Sequence, residues 1–220
     1  MTRRLLCLSA FAAAILMATP AFAGPPLLCF PFEIGSAKSL PMGNANWQAL
    51  DPSYDSSHLV ADTLALLTPQ TPVIVRMETL RRATVYASRK PQLAGALLDA
   101  LEARAARPEA NVGYAVFDFG YLAETYKQAS WMPGDSAPAA AMRNAIARAR
   151  TIDGYMLVQK GQTLTGDKSM AFALVAMSID RTRGLEPLRI HLADAREAAK
   201  TDASVRANLA THWTETTTQF

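Results

Sequence analysis

The sequence predicts an all-α protein: an array of helical hairpins entered through an irregular, proline-rich N-terminal arm. Three observations carry this. Apolar residues recur with a 3.6-residue period from Asp55 onward. Proline and glycine punctuate that pattern at short intervals. No segment sustains the strict apolar–polar alternation of a half-buried strand.

Residues 1–23 read as a secretory signal peptide. Arg3 and Arg4 form a basic start, an apolar run extends from Leu5 to Met17, and Ala21-Phe22-Ala23 supplies the small residues of a cleavage site. The expected address is therefore the periplasm or the exterior. Such a compartment offers neither an ATP pool nor a genome, which removes most cofactor and nucleic-acid functions. No later run approaches the roughly 18 apolar residues of a membrane span.

Residues 24–54 form the arm. Pro25, Pro26, Pro31, Pro41 and Pro52, with Gly35 and Gly43, prevent a long helix. Yet Leu27, Leu28, Phe30, Phe32, Ile34, Leu40 and Trp47 give it far more apolar surface than a disordered tail carries. The arm is expected to pack across the helices.

Residues 55–213 supply a single all-α domain. Asp55 or Ser56 caps a first helix whose stripe is Leu59, Val60, Thr63, Leu64 and Leu67. Thr68 to Pro72 closes it, and the next helix runs to about Ser88, with Arg89-Lys90 favourably placed at its C-terminal end. Pro91 opens a third helix that stops at Arg107-Pro108. A fourth spans about Asn111 to Ala129. After the loop Trp131 to Asp135, a fifth begins at Pro138, with a break or kink at Asp153-Gly154 before Tyr155 to Val158. Met170 to Ile179 forms a sixth, and the last runs from near Pro187 to Trp213, with an interruption at Thr201-Asp202. Residues 214–220 are expected to fray.

Charge and cysteine content narrow the partners. Loss of Arg3 and Arg4 with the leader leaves 20 basic against 19 acidic side chains, so the pI of about 9.0 argues for no polyanionic ligand. Cys7 departs with the leader, and Cys29 alone cannot close an intrachain disulfide. Among Leu27, Leu28, Phe30 and Phe32 it reads first as a buried apolar thiol, and second as a candidate reactive thiol.

Two resemblances add to this reading. Thr79 to Pro108, with Ala83, Tyr86, Gly95, Ala96 and a closing proline, resembles a tetratricopeptide-like helix pair. Ala115 to Tyr126, carrying Gly120-Tyr121, looks like the first helix of another. That likeness covers about residues 72–180 and implies a solenoid; an irregular bundle is the alternative. Cys29 to Gly35 followed by Ala37 to Pro41, together with Met77 to Ala83 and Gly120 to Gln128, is similar to a group of secreted bacterial proteins with no assigned activity. It implies compartment and fold and nothing about chemistry.

Familiar catalytic signatures are missing. Gly161 to Ser169 nearly spells a phosphate loop, but Asp167 separates Gly166 from Lys168, displacing the ammonium and adding a repulsive carboxylate. It reads as a helix–helix loop. His58, His191 and His212 lie far apart without zinc spacing, so no metal and no cofactor is expected. His58 and Asp62 stand one helical turn apart, the spacing of a surface pair or of a metal half-site, of which the surface pair is the expected reading.

Two helices carry the candidate site. Residues 114–131 hold six of the chain's 17 aromatics on more than one face, which marks a central helix. That helix nevertheless contains Asp118, Glu124 and Lys127, and a buried carboxylate needs a partner. The helix from Val73 to Ser88 offers Arg76, Glu78, Arg81 and Arg82. One account is an inter-helix Arg–carboxylate network that only orients helices. The other places Arg76, Glu78, Arg82, Asp118, Tyr121, Glu124 and Lys127 around a groove for a peptide or small polar ligand.

The functional expectation is thus an exported helical-repeat protein that binds a protein or peptide partner without chemistry. The enzymatic alternative is a small envelope hydrolase using Glu78 with Asp118 or Glu124 as acid and base. A third is a structural subunit whose arm docks on a neighbour.

Overall fold

A computed structural model describes residues 26–108, 111–130, 140–179 and 183–213. Residues 1–23, expected to form a leader, the Trp131 to Asp135 loop, the Pro138 helix start and the C-terminal residues 214–220 lie outside the described residues. Those described contain nine α-helices and no strand, so the chain is all-α.

Capping chemistry sets the helix starts. The Asp55 carboxylate accepts the Ser57 N–H and begins a 3-10 turn, Ser56–His58, which leads into α1, Leu59–Leu66. Helices α2 (Val73–Arg89) and α3 (Gln92–Ala105) each follow a proline, whose fixed φ suits a helix start. Helix α4 spans Val112–Ala129 and α5 spans Ala140–Ala149. The Asp153-Gly154 break is complete: Asp153 accepts the Met156 N–H and caps a separate helix, α6 (Gly154–Thr165). Helix α7 covers Met170–Ser178 and α8 covers Leu185–Ala198. The last long helix is likewise divided, because Asp202 caps α9 (Ala203–His212) through the Ser204 and Val205 N–H groups.

The segment resembling a phosphate loop is consumed by structure. Gly166 takes φ +68° and ends α6 as a left-handed cap. Asp167 then accepts both the backbone N–H and the hydroxyl of Ser169, while its other oxygen takes the Tyr114 hydroxyl.

Packing centres on α4, which touches α2, α3, α5 and α6. Its crossing with α6 is set by four glycines at matching heptad intervals, Gly113 and Gly120 on α4 against Gly161 and Gly154 on α6. A Cβ on Gly120 would lie 2.7 Å from the Gly154 carbonyl oxygen, and one on Gly161 would lie 2.8 Å from that of Gly113. Side chains larger than hydrogen would push these backbones apart. Helix α7 is apolar on all sides and buried along its whole length between α6 and α8.

The arm crosses this body without regular structure, yet Leu27, Leu28, Phe32 and Leu40 are buried in the same core as the helices. Phe32 packs edge-on against Phe172 of α7 and His212 of α9. Fully burying four such side chains contributes about 1.5–3 kcal/mol each.

Candidate functional site

The charged helix α2 is sandwiched. Arg76 and Glu78 point about 200° apart around it, and both have no exposed surface. They meet different neighbours.

On one face, Arg76 donates to Asp118 of α4 at 2.7 Å. It also donates to the Thr71 carbonyl at 3.0 Å and to the Thr68 carbonyl, and its guanidinium lies over the Tyr114 ring. Arg104 of α3 donates to the Leu67 carbonyl. Two arginines thus satisfy carbonyls just past the end of α1, where positive charge is favoured. Burial drives the Asp118 carboxyl up from its ordinary 3.8 to about 6, against the pull of Arg76 and Arg104. One of its oxygens, Oδ1, has no hydrogen-bond partner.

On the opposite face, Glu78 is the hub of a second cluster. Arg81 grips it bidentately at 2.7 and 2.8 Å, and Arg82 donates at 2.6 Å. Burial raises the Glu78 carboxyl, but the hydrogen bonds and charges of both arginines outweigh it, leaving it below its usual range. The cluster's further hydrogen bonds run to the arm. Glu78 accepts the Phe32 N–H at 3.0 Å; Arg81 donates to the Leu28 and Trp47 carbonyls, each at 3.1 Å; Arg82 donates to the Leu40 carbonyl at 2.6 Å. Further along α2, Tyr86 donates to the Pro41 carbonyl at 2.8 Å.

The arm has no helix or sheet partner, so its buried backbone groups need side-chain partners instead. Two residues that sequence reasoning missed complete the set. Asn208 of α9 accepts the Glu33 N–H and donates to the Glu33 carbonyl, both at 2.8 Å. Gln128 of α4 accepts the Leu27 N–H at 2.8 Å. A carboxamide that reads both polar groups of one residue mimics a strand neighbour. The only sequence signal was an Asn or Gln on an otherwise apolar helical face.

The candidate residues therefore fall into three separate clusters and are not gathered around one groove. Arg76 and Asp118 form the first, and Glu78 and Arg82 belong to the second. Glu124 and Lys127 form the third, where Lys127 donates to Glu124 and to the Ile152 carbonyl, each at 2.7 Å, closing the turn before α6. Tyr121 is buried, stacked on Phe117, with its hydroxyl unpartnered and held protonated by burial and by Glu78. Asp118 pairs across helices with Arg76, whereas Glu78 with Arg81 and Arg82, and Glu124 with Lys127, pair within their own helices. His58 and Asp62 form no ion pair; Asp62 instead accepts the Tyr54 hydroxyl at 2.8 Å.

Cys29 is half-buried rather than fully enclosed. Burial raises its thiol above the ordinary value despite the nearby charge of Arg81, which disfavours the nucleophilic thiolate. Among the described residues no group of three or more His, Cys, Asp or Glu is arranged to hold a metal ion. No described helix is long and apolar enough to cross a membrane.

No protein-family model matches this chain, and no curated protein or solved structure matches it either.

Proposed function

We propose that this is an exported helix-pair scaffold that holds an extended peptide segment against α2, α4 and α9, and so binds a protein or peptide partner without chemistry. The observation that carries the reading is the way the arm, residues 26–54, is held. Glu78, Arg81, Arg82, Gln128 and Asn208 all address its main chain, not its side chains. Side chains that read backbone accept many sequences, while the seats of Leu27, Leu28 and Phe32 add an apolar preference. The arm is then the resident occupant of a peptide-binding face.

The helix order supports a solenoid. Helices α2 and α3, α4 and α5, and α6 and α7 pack as consecutive pairs, and the first helices α2, α4 and α6 also pack side by side. These pairs start at residues 73, 112 and 154, somewhat longer repeats than the roughly 34 residues of a tetratricopeptide unit. Export rests on the basic, apolar and small-residue tracts of residues 1–23. The three carboxylates fit this scaffold reading, since each is engaged with a cation.

The test uses the folded full chain. A protease site placed at the exposed turn Asn44–Asn46 allows the arm to be nicked in place. A fluorescent peptide of residues 26–43 should then exchange in saturably, and Asn208→Ala should weaken its binding several-fold. A nicked protein that unfolds, or an arm that no peptide displaces, would make the arm a permanent core element and end the proposal.

A further inference from the structure

A cleft of about 300 Å³ lies where the arm passes α1, bordering the second charge cluster at Leu40, whose carbonyl Arg82 holds. Its walls are Leu40 and Pro41 from the arm and Ala65 and Leu66 from α1, and its polar groups are Ser39, Tyr54 and Asp62. We infer that this cleft is a binding site for a primary ammonium group carried on an alkyl stem.

The hydrogen-bond inventory selects the ligand. Tyr54 spends its one proton on Asp62 at 2.8 Å, so the tyrosine oxygen and the carboxylate are left as acceptors. Either hydroxyl can donate in the 2.9 Å bond between Ser39 and Thr79, and when Ser39 donates its oxygen keeps acceptor capacity. With Ser39 donating to Thr79, the cleft presents three acceptor groups, which match the three N–H donors of an ammonium. A guanidinium would bring five donors in a rigid plane and leave some unmatched, and a carboxylate or phosphate would be repelled.

Charge points the same way. Asp62 pairs with no described cation, His58 included. Burial, and after it the carboxylates of Asp62 and Asp55, hold the Tyr54 hydroxyl protonated well above its ordinary range, and the two carboxylates make the local field negative. Partial burial makes such a field stronger than it would be in open water. The apolar walls suit a chain of four or five methylenes, and the volume sits at the small end of ligand sites, which begin near about 300 Å³. The aromatic face of Tyr54, itself set edge-on to Tyr86, adds a surface favourable to a cation.

Two sources present this chemistry: a free alkylamine and the lysine side chain of a peptide. The site uses Ser39 and Pro41 of the seated arm, yet it does not depend on the arm being exchangeable. The full chain should be titrated by NMR with pentylamine and, separately, with N-acetyl-lysine methylamide. Saturable shifts at Ser39, Tyr54 and Asp62 are expected with at least one of them. The tighter ligand names the source. Binding should fall at least tenfold in Asp62→Asn and should vanish when the lysine amine is acetylated. Because Asp62 is only half-buried, Asp62→Asn is expected to keep the parent's circular dichroism and thermal midpoint. Tyr54→Phe, which removes one acceptor but keeps the charge, should weaken binding less. Absence of saturable binding by either amine, or equal binding by a folded Asp62→Asn protein, would overturn the assignment.

Discussion

Gly120 on α4 and Gly154 on α6 approach so closely that each occupies the space a Cβ on the other would need. A Cβ on Gly120 would lie 2.6 Å from the Leu157 Cβ and 2.7 Å from the Gly154 carbonyl oxygen; one on Gly154 would strike the Gly120 carbonyl and the Glu124 carboxylate. Backbone cannot swing aside as a flexible side chain does. Gly120→Ala and Gly154→Ala should therefore each cost about 3 kcal/mol, at the upper end of overpacking penalties. Gly95, in α3, meets nothing within 4 Å. Gly95→Ala should instead stabilise, by about 0.5–1 kcal/mol, because alanine loses less entropy in a helix. Chemical denaturation of the three variants checks the opposite signs.

Removing Glu78 should harm the protein more than removing its partner Arg82. Glu78→Ala leaves Arg81 buried without its counter-charge and the Phe32 N–H without an acceptor. The expected loss is about 3–5 kcal/mol. Arg82, whose side chain is one-fifth exposed, can turn toward water, so Arg82→Ala should cost less. Urea midpoints at constant pH would show the ranking.

Asn208 predicts a local effect. Asn208→Ala removes both hydrogen bonds to Glu33. Each is worth about 0.5–1.5 kcal/mol net, so a stability loss of about 2 kcal/mol is expected. Amide exchange should accelerate at Phe32 to Ile34 well before it does in α4. Uniform acceleration across the chain would show that the arm is not a separable unit.

The Asp118 carboxyl gives a pH signature. Its folded value, about 6, lies above its ordinary 3.8. For an acid with a raised folded value, the unfolded chain releases the proton first. Stability from this group is thus present below about pH 4 and lost as pH rises through about 6. Buried His191 and half-buried His212, whose values burial lowers, act with the opposite sign in an overlapping window. The clean readout is therefore the difference between the parent and Asp118→Asn. The parent should lose stability relative to the variant between pH 4 and pH 7, by up to about 3 kcal/mol. A difference that stays flat with pH would contradict a raised Asp118.

Much of the helical layout was legible in the chain. Asp55, Pro72, Pro91, Asp153 and Asp202 act locally, each satisfying or removing N–H groups within a few residues of itself. For that reason they mark helix starts in sequence as well as in space. The central role of α4 was also visible, because aromatics on several faces leave a helix no side for water. The phosphate-loop resemblance was discounted for a local reason as well, the position of Asp167.

The pairing of charges was not visible in this way. That Arg76 takes Asp118, while Glu78 two residues later turns to the arm, depends on segments 42 and 46 residues away crossing α2 on opposite sides. A sequence lists the charges but not which neighbour each meets, since a long side chain is satisfied by whatever acceptor the tertiary path delivers. Asn208 is the extreme case, bonded to a residue 175 positions away. The glycines of α4 and α6 are similar: their spacing was in the sequence, but only the crossing of two backbones gave it meaning. Local chemistry fixed where this chain is helical, and long-range geometry decided that its buried charges hold an arm in place.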